Sequence, residues 1–391
     1  LTVRVLFVAT SFPLYEDHWS GTFVAVQARA LSRLGCEMTV LAPRGPNAAA
    51  HERLGPLDVH RFAYLPRPLE RLAYGGGIPA NLRASPWLWA AVPPFVASLS
   101  AAVSRHAATA DIVHAHWTFA GAVCASLPFR KTKPLVVSLH GSDLAQANGL
   151  YARAARRVFA RADAIVVHSS EMRERALAAG ASPERLLQIA HGVEVDLFWR
   201  ASEVRETTRL LAVGRLSHEK GFDVLLDALR QIPPTAKWEL EIVGEGPLRA
   251  ELARQAEASG LRRVRFLGGL PPTQLRERLA AADVLVVPSR REGFGVVALE
   301  GMAAQLPVIA TTVGALPEII TPNETGLLAP PDDAPALRDA LLSLLHDRAR
   351  ARTLGEHGRR VVEDRYSARV VNEPLAQLYQ RLLPPKSART V

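Results

Sequence analysis

Glu292 and Glu300 bracket a glycine-containing segment, Glu292-Gly-Phe-Gly-Val-Val-Ala-Leu-Glu300. Gly293 and Gly295 let the backbone come close to a ligand. A helix starting near Val296 would point its free N–H groups outward, a natural seat for phosphate. Eight residues at helical rise span about 12 Å. That length can set one carboxylate on a sugar and the other on a ribose with a diphosphate between them, since carboxylates accept hydrogen bonds from hydroxyls. The same spacing also fits a loop glutamate followed by an exposed helix glutamate.

A second segment, Gly214-Arg-Leu-Ser-His-Glu-Lys220-Gly221, brings two cations to one turn. Arg215 can grip a diphosphate by its fork and Lys220 as a point charge. Together they can stabilise charge on a leaving group, work done elsewhere by a divalent metal. No Asp-x-Asp triplet occurs in the chain, and Asp332-Asp333 beside Pro330-Pro331 reads as a turn and helix cap, so no metal or other cofactor is expected. Weaker signals lie in other loops. Ser20-Gly21-Thr22 opens a helix, where Gly21 allows the backbone to approach a phosphate. In Ser138-Leu-His140-Gly-Ser-Asp143, His140 and Asp143 can bind sugar hydroxyls or orient an acceptor. His114 and His116 share a strand face, but the sequence shows no third ligand for a metal pair, so packing or lining is the expectation. Gly244-Glu-Gly246-Pro-Leu-Arg249 begins like a dinucleotide fingerprint but has Arg249 where the third glycine belongs; it reads as a loop bordering a nucleotide pocket. Gly268-Gly-Leu270-Pro-Pro can read a base edge with its backbone.

These loops need strands to carry them. Val3–Ala9, Met38–Ala42, Ile112–His116, Leu135–Leu139 and Ala164–Val167 read as buried strands, with a helix over Thr22–Leu34. The pattern restarts with strands at Leu210–Val213, Trp238–Val243, Val264–Leu267, Val284–Val287 and Val308–Ala310. Strand–helix alternation means parallel strands covered on both faces, hence two doubly wound α/β domains. Glu194–Thr208 reads as the linker, and Tyr366–Leu383 as the last helix. Ligands of such sheets bind beyond the carboxyl ends of the strands, where every loop named above falls.

The chain has 391 residues, 48% hydrophobic and 22% charged, which suits two or three domains with real cores. Cys36 and Cys124 lie far apart in no metal or redox spacing, which suggests a reducing compartment. Val5–Ala9 is too short for a signal core. Pro93 and Pro94 interrupt the longest apolar stretch, Pro86–Val103, so no transmembrane helix is expected. The expected location is the cytoplasm, with peripheral contact to the inner membrane face as an option. Net charge is +9, and the first 200 residues carry 21 Lys/Arg against 14 Asp/Glu. A basic first half suits an anionic partner such as a membrane surface or lipid diphosphate, although arginines on solvated faces give the same count. It lacks the stripe with interleaved aromatics of a nucleic-acid binder. Trp87, Trp89 and Phe95 form an aromatic patch flanked by Arg83 and Arg105: core by default, membrane-interfacial as the sharper option.

Together the loops resemble retaining glycosyltransferases of family 4, over essentially the whole chain and most strongly from Gly214 to Glu318. The resemblance rests first on Glu292-x7-Glu300, then on Gly-Arg-Leu…Glu-Lys-Gly. It implies a GT-B fold: two Rossmann-like doubly wound parallel-sheet domains facing across a cleft, with the C-terminal helix crossing back to the first. The corresponding domains are an acceptor-side domain over 1–196, a nucleotide-sugar domain over 197–366 and the returning helix over 367–391. The resemblance assigns Arg215 and Lys220 to the donor diphosphate, and Glu292 with the amides of Phe294 and Gly295 to the transferred sugar. The amides of Val296 and Val297 would face the phosphates, Glu300 the ribose and Leu270 the base. Gly21 would meet the diphosphate from the first domain, with His140 near the sugar and Asp143 on the acceptor side; Gly214 and Gly244 border the donor. Two departures stand out: Ser20-Gly21 replaces the usual glycine pair, and His191-Gly192-Val193 replaces Asn-Gly-Val.

The function this implies is transfer, with retention, of a sugar from a nucleotide diphosphate donor to a glycan or lipid-linked acceptor in cell-surface polysaccharide or glycolipid synthesis. Gly268–Pro272 carries no carboxylate to accept from guanine's exocyclic amine, a slight preference for UDP-sugar over GDP-sugar. The alternatives are a transferase making a small soluble glycoside and a GT-B-like nucleotide-sugar epimerase.

Overall fold

The computed structural model describes residues 2–141, 150–201 and 206–383. Asp143 lies outside them. The chain forms two compact units, Leu1–His191 with Val371–Val391, and Gly192–Val370. The divisions fall a few residues from the 196/197 and 366/367 positions read from the sequence.

The first unit holds an eight-stranded sheet in the order β3-β4-β2-β1-β5-β6-β7-β8. Its strands are β1 Val3–Val8, β2 Cys36–Pro43, β3 His51–Leu54, β4 Leu57–Phe62, β5 Ile112–His116, β6 Leu135–Ser138, β7 Ala164–Val167 and β8 Leu186–Gln188. All pair in parallel except β3 with β4. Side chains alternate across the pleat. Leu6 and Val8 enter one core with Leu41, Phe95 and Leu99. Val5 and Phe7 enter the other with Val40, Leu375 and Tyr379. The last helix, Ala368–Leu382, therefore covers a face of the first unit's sheet.

The second unit holds β9 Thr208–Val213, β10 Trp238–Val243, β11 Val264–Gly268, β12 Val284–Val287, β13 Val308–Thr311 and β14 Gly326–Ala329. Their order is β11-β10-β9-β12-β13-β14, all parallel. Numbered within the unit this is 3-2-1-4-5-6, the dinucleotide-binding arrangement, whose switch point lies between β9 and β12. The two segments crossing between units run side by side: Val193 N–H donates to Tyr366 O at 3.0 Å and Ala368 N–H to Val193 O at 2.8 Å. The stretch read as a linker thus belongs largely to the second unit.

Three expectations change. Pro93 and Pro94 do not break the apolar stretch; they occupy the first turn of a helix, Val92–Ala107, where a missing N–H costs nothing. With the 3-10 turn before it, Pro86–Ala107 is 22 residues long and, by length and composition alone, apolar enough to cross a membrane. Its Phe95, Leu99, Val103 and Ala107 are nevertheless buried in the unit's core. The aromatic patch splits accordingly: Phe95 is core, whereas Trp87 and Trp89 are 53% and 55% exposed. The strands β3, β4, β8 and β14 carry little sequence signal, being brief or polar.

Candidate active site

In the second unit the loops after β9 and β12 flank the switch point, and the sheet brings them together. Arg290 N–H and Arg291 N–H both donate to Glu219 O, at 2.8 and 3.1 Å. The Arg290 guanidinium forks onto Asp223 at 2.7 and 2.6 Å and reaches His218 O at 2.9 Å; it also pairs with Asp332. Those carboxylates hold Arg290 well above its ordinary range. Asp333 caps the next helix by accepting from Ala336 N–H at 2.8 Å. This latch places Lys220 Nζ 2.7 Å from Glu292 Oε2. Ser289 Oγ donates to the same oxygen at 3.2 Å, and Gly293 N–H to Oε1 at 3.2 Å. Glu292 is thus fixed at both oxygens.

Two glycines are required by the space around them. Gly295 caps the Val296–Ala303 helix at φ +92°, and a Cβ there would lie 2.8 Å from Leu316 Cδ2. A Cβ on Gly244 would lie 1.9 Å from Gly214 O, so the ends of β9 and β10 close tightly. Phe294 is buried, while Val296 and Val297 are part-exposed at the helix start. Glu300, on that helix, keeps an opening to solvent. Burial pushes its carboxyl up to about 7 against a pull from Arg276. Arg276 was not singled out in the sequence, because only the fold brings its helix, Pro272–Ala281, within electrostatic reach of Glu300. Arg215 is exposed; its carbonyl accepts from Ser217 N–H at 2.8 Å, and its guanidinium makes no hydrogen bond or ion pair among the described residues. Glu219 is held below the usual carboxylate range by its own backbone amide, by Ser217 and more distantly by Arg215. Leu270 is part-exposed after β11. Glu245, paired with Arg249 at 2.6 Å, places its Oε1 2.9 Å from where a Cβ on Gly268 would be. The loop considered for base reading therefore has a carboxylate beside it after all.

In the first unit Gly21 caps the Thr22–Arg33 helix in the left-handed region. The ends of β5 to β8 carry a stack of histidines. His140 stacks on His116 at 5.5 Å, His168 at 5.0 Å and His191 at 5.7 Å between centroids. His116 Nδ1 and His140 Nε2 are 3.3 Å apart. His168 Nδ1 donates to Ile189 O at 2.8 Å, which leaves Nε2 unprotonated in the neutral ring. Burial holds all of these rings neutral: His168 falls to about 4, and His116, His140 and His191 lie well below their ordinary value. His114 stacks on His116 at 4.6 Å between centroids. Its Nδ1 is 2.5 Å from Tyr379 Oη and its Nε2 2.8 Å from Ser138 Oγ, so it ties the last helix to the sheet. His114 and His116 are both fully buried, in keeping with the packing role expected of that pair; separately, His140, His168 and His191 bring ring nitrogens within 4.8 Å of one another, a spacing able to hold a metal ion.

Residues 20–197 match the family model for Glycosyltransferase Family 4, and residues 197–361 that for Glycosyl transferases group 1. A GDP-mannose-dependent phosphatidylinositol monomannoside mannosyltransferase of Mycolicibacterium smegmatis is 32% identical over 62% of this chain and 69% of its own length. This chain belongs to the group 1, family 4 glycosyltransferases. A Bacillus subtilis glycosyltransferase named for teichuronic acid biosynthesis, TuaC, is 27% identical over 88% of this chain and 90% of its own. Sucrose-phosphate synthase of Thermosynechococcus elongatus superposes with a TM-score of 0.80 at 26% identity, covering 97% of this chain and 99% of that one. The glycosyltransferase thus has the GT-B architecture of two Rossmann-like units, and it is a transferase enzyme.

Proposed function

We propose that this glycosyltransferase moves a sugar from a nucleoside diphosphate donor, UDP-sugar first, to a glycan or lipid-linked acceptor. In this reading transfer proceeds with retention and without a metal, in polysaccharide or glycolipid synthesis. The Lys220–Glu292 pair, at the mouth of the Val296 helix and the switch point of the second sheet, carries the reading. The helix amides and Lys220 offer positive charge to a diphosphate, with Arg215 nearby on the same loop. Glu292 accepts from sugar hydroxyls and Glu300 from the ribose. Leu270 borders the base, His140 serves the sugar as a neutral hydrogen-bonding ring, Gly21 offers an amide to a phosphate, and Asp143 serves the acceptor. The C1–oxygen bond to the diphosphate breaks as the acceptor oxygen bonds to C1 on the same face, and a phosphate oxygen takes the acceptor proton. No protein base is then needed, and the protein contributes positioning and charge. The Bacillus subtilis and Mycolicibacterium relatives, named for teichuronic acid biosynthesis and for phosphatidylinositol monomannoside, support the acceptor class.

A GDP-sugar is the second reading, because Glu245 beside Gly268 can accept from guanine and the Mycolicibacterium relative is GDP-mannose-dependent. Thermal shift against a panel of nucleotide sugars tests both, since a ligand that binds the folded state raises Tm. UDP-sugars are expected to give the largest shift. Product anomers read by NMR test retention; an inverted product, or donor conversion without acceptor, defeats the mechanism.

A further inference from the structure

The first unit carries a groove that the transfer chemistry does not use. It measures about 620 Å³, within the roughly 300–1,000 Å³ typical of small-molecule sites. Leu82, Val92, Val96, Phe119 and Val123 line it, with Arg83 and Arg157 among its few charged members. Trp89 also borders it, next to exposed Trp87. A mostly apolar channel, open to water and edged by tryptophan and arginine, has the composition of a membrane-interfacial surface.

Charge chooses the occupant. From Arg71 to Ala162 the chain has ten Lys/Arg and two Asp/Glu, Asp111 and Asp143, a net +8 out of the whole chain's +9. On the helix Leu150–Arg161, Arg153, Arg156 and Arg157 are exposed beside buried Ala155, Val158 and Phe159. These three arginines form no ion pair among the described residues, so nothing described neutralises them. The apolar Pro86–Ala107 stretch has its Phe95–Ala107 face committed to the core, which suits lying on a bilayer rather than crossing it.

We propose that this groove takes one hydrocarbon chain of an anionic bilayer lipid, with Trp87 and Trp89 at the interface and Arg83 and the exposed arginines of Leu150–Arg161 on the headgroup phosphates. It rests on the transferase reading only in making that bilayer the place where a lipid-linked acceptor is met. One buried chain alone binds marginally, so the basic surface is the necessary second signal.

The test uses the full chain and vesicles of phosphatidylcholine with or without phosphatidylglycerol, and no donor. Binding is expected only with phosphatidylglycerol and should weaken with added salt. Chain-brominated phosphatidylglycerol should quench the part of the fluorescence that Trp89→Phe removes. Val96→Asp, at a part-exposed groove position, and Arg157→Glu should each weaken binding about tenfold, since each added or reversed charge acts on the scale of 1 kcal/mol or more at a membrane, with Tm kept. Equal binding to both vesicles, no binding, or bromine without effect on Trp89 overturns the proposal. So does a concentration-dependent dimer that Val96→Asp abolishes, because the groove would then hold a second copy. If vesicle binding appears while no nucleotide sugar raises Tm, the groove stands and the transferase roles fall.

Discussion

Lys220 Nζ donates to Glu292 Oε2 at 2.7 Å, joining the loops that follow β9 and β12. The cation proposed for the diphosphate and the carboxylate proposed for the sugar are therefore one partly buried unit. Each fixes the other before donor arrives, so removing either disturbs both. Lys220→Ala is expected to lower kcat by about 100-fold or more, the usual cost of one preorganised electrostatic group. Glu292→Ala should fall in the same range. The double variant should lose far less than the product of the two, because contacting residues are not additive. Additive losses, or near-normal rates in both single variants, would remove the clamp.

Gly244→Ala tests the scaffold beneath that clamp. The added Cβ would meet Gly214 O at 1.9 Å, a backbone atom that cannot rotate away. The β9 and β10 ends must then part, carrying Arg215 and Lys220 with them. Donor-induced thermal shift is expected to disappear while far-UV circular dichroism stays native. An unchanged shift would mean that these strand ends do not shape the donor seat. Gly260→Ala is the control, since its Cβ would meet nothing within 4 Å and only its positive φ, +68°, adds strain.

What could be read from the sequence follows chain continuity. Glu292 to Glu300 and Gly214 to Lys220 are each continuous in sequence and follow a strand, so their residue types sufficed to mark them. The Lys220–Glu292 contact needs β9 beside β12, and no local pattern encodes that neighbour. His168 and His191 each stand alone in sequence and join His140 only through the β6-β7-β8 order. Arg290 carries no local signal, because its partners Asp223 and Asp332 are distant in the chain. Pro93 and Pro94 read as breakers because proline breaks a helix interior, yet it suits a first turn, so the pair marks the helix start.

The histidine trio makes metal independence a direct question. His140, His168 and His191 have the spacing of a three-ligand site, yet the proposed transfer uses none. Turnover is expected to be unchanged after exhaustive chelation with EDTA and gel filtration. Metal content by mass spectrometry checks that the ion has gone. A loss of activity restored by zinc would assign the trio to a metal and overturn the metal-free transfer.

The same buried rings set an acid limit on the fold. A histidine held neutral by burial takes up its proton later than in the unfolded chain. His168 falls to about 4 and His114 to about 3, both through desolvation first. Above pH 6.5 both states are neutral and nothing is lost. As pH drops from 6.5 toward 4, the unfolded chain gains protons that the folded chain refuses, so stability falls. At about 1.4 kcal/mol per pH unit, His168 alone accounts for roughly 3 kcal/mol. Glu300 acts in the opposite sense: its raised carboxyl protonates first in the folded state, which stabilises the fold as pH falls from about 7 toward its ordinary range. The buried histidines outnumber it, so the net slope should be a loss on acidification. Urea unfolding between pH 7 and pH 4 is expected to show a falling midpoint in the wild type and a shallower fall in His168→Phe. A flat midpoint across that window would mean that the rings are protonated in the folded protein.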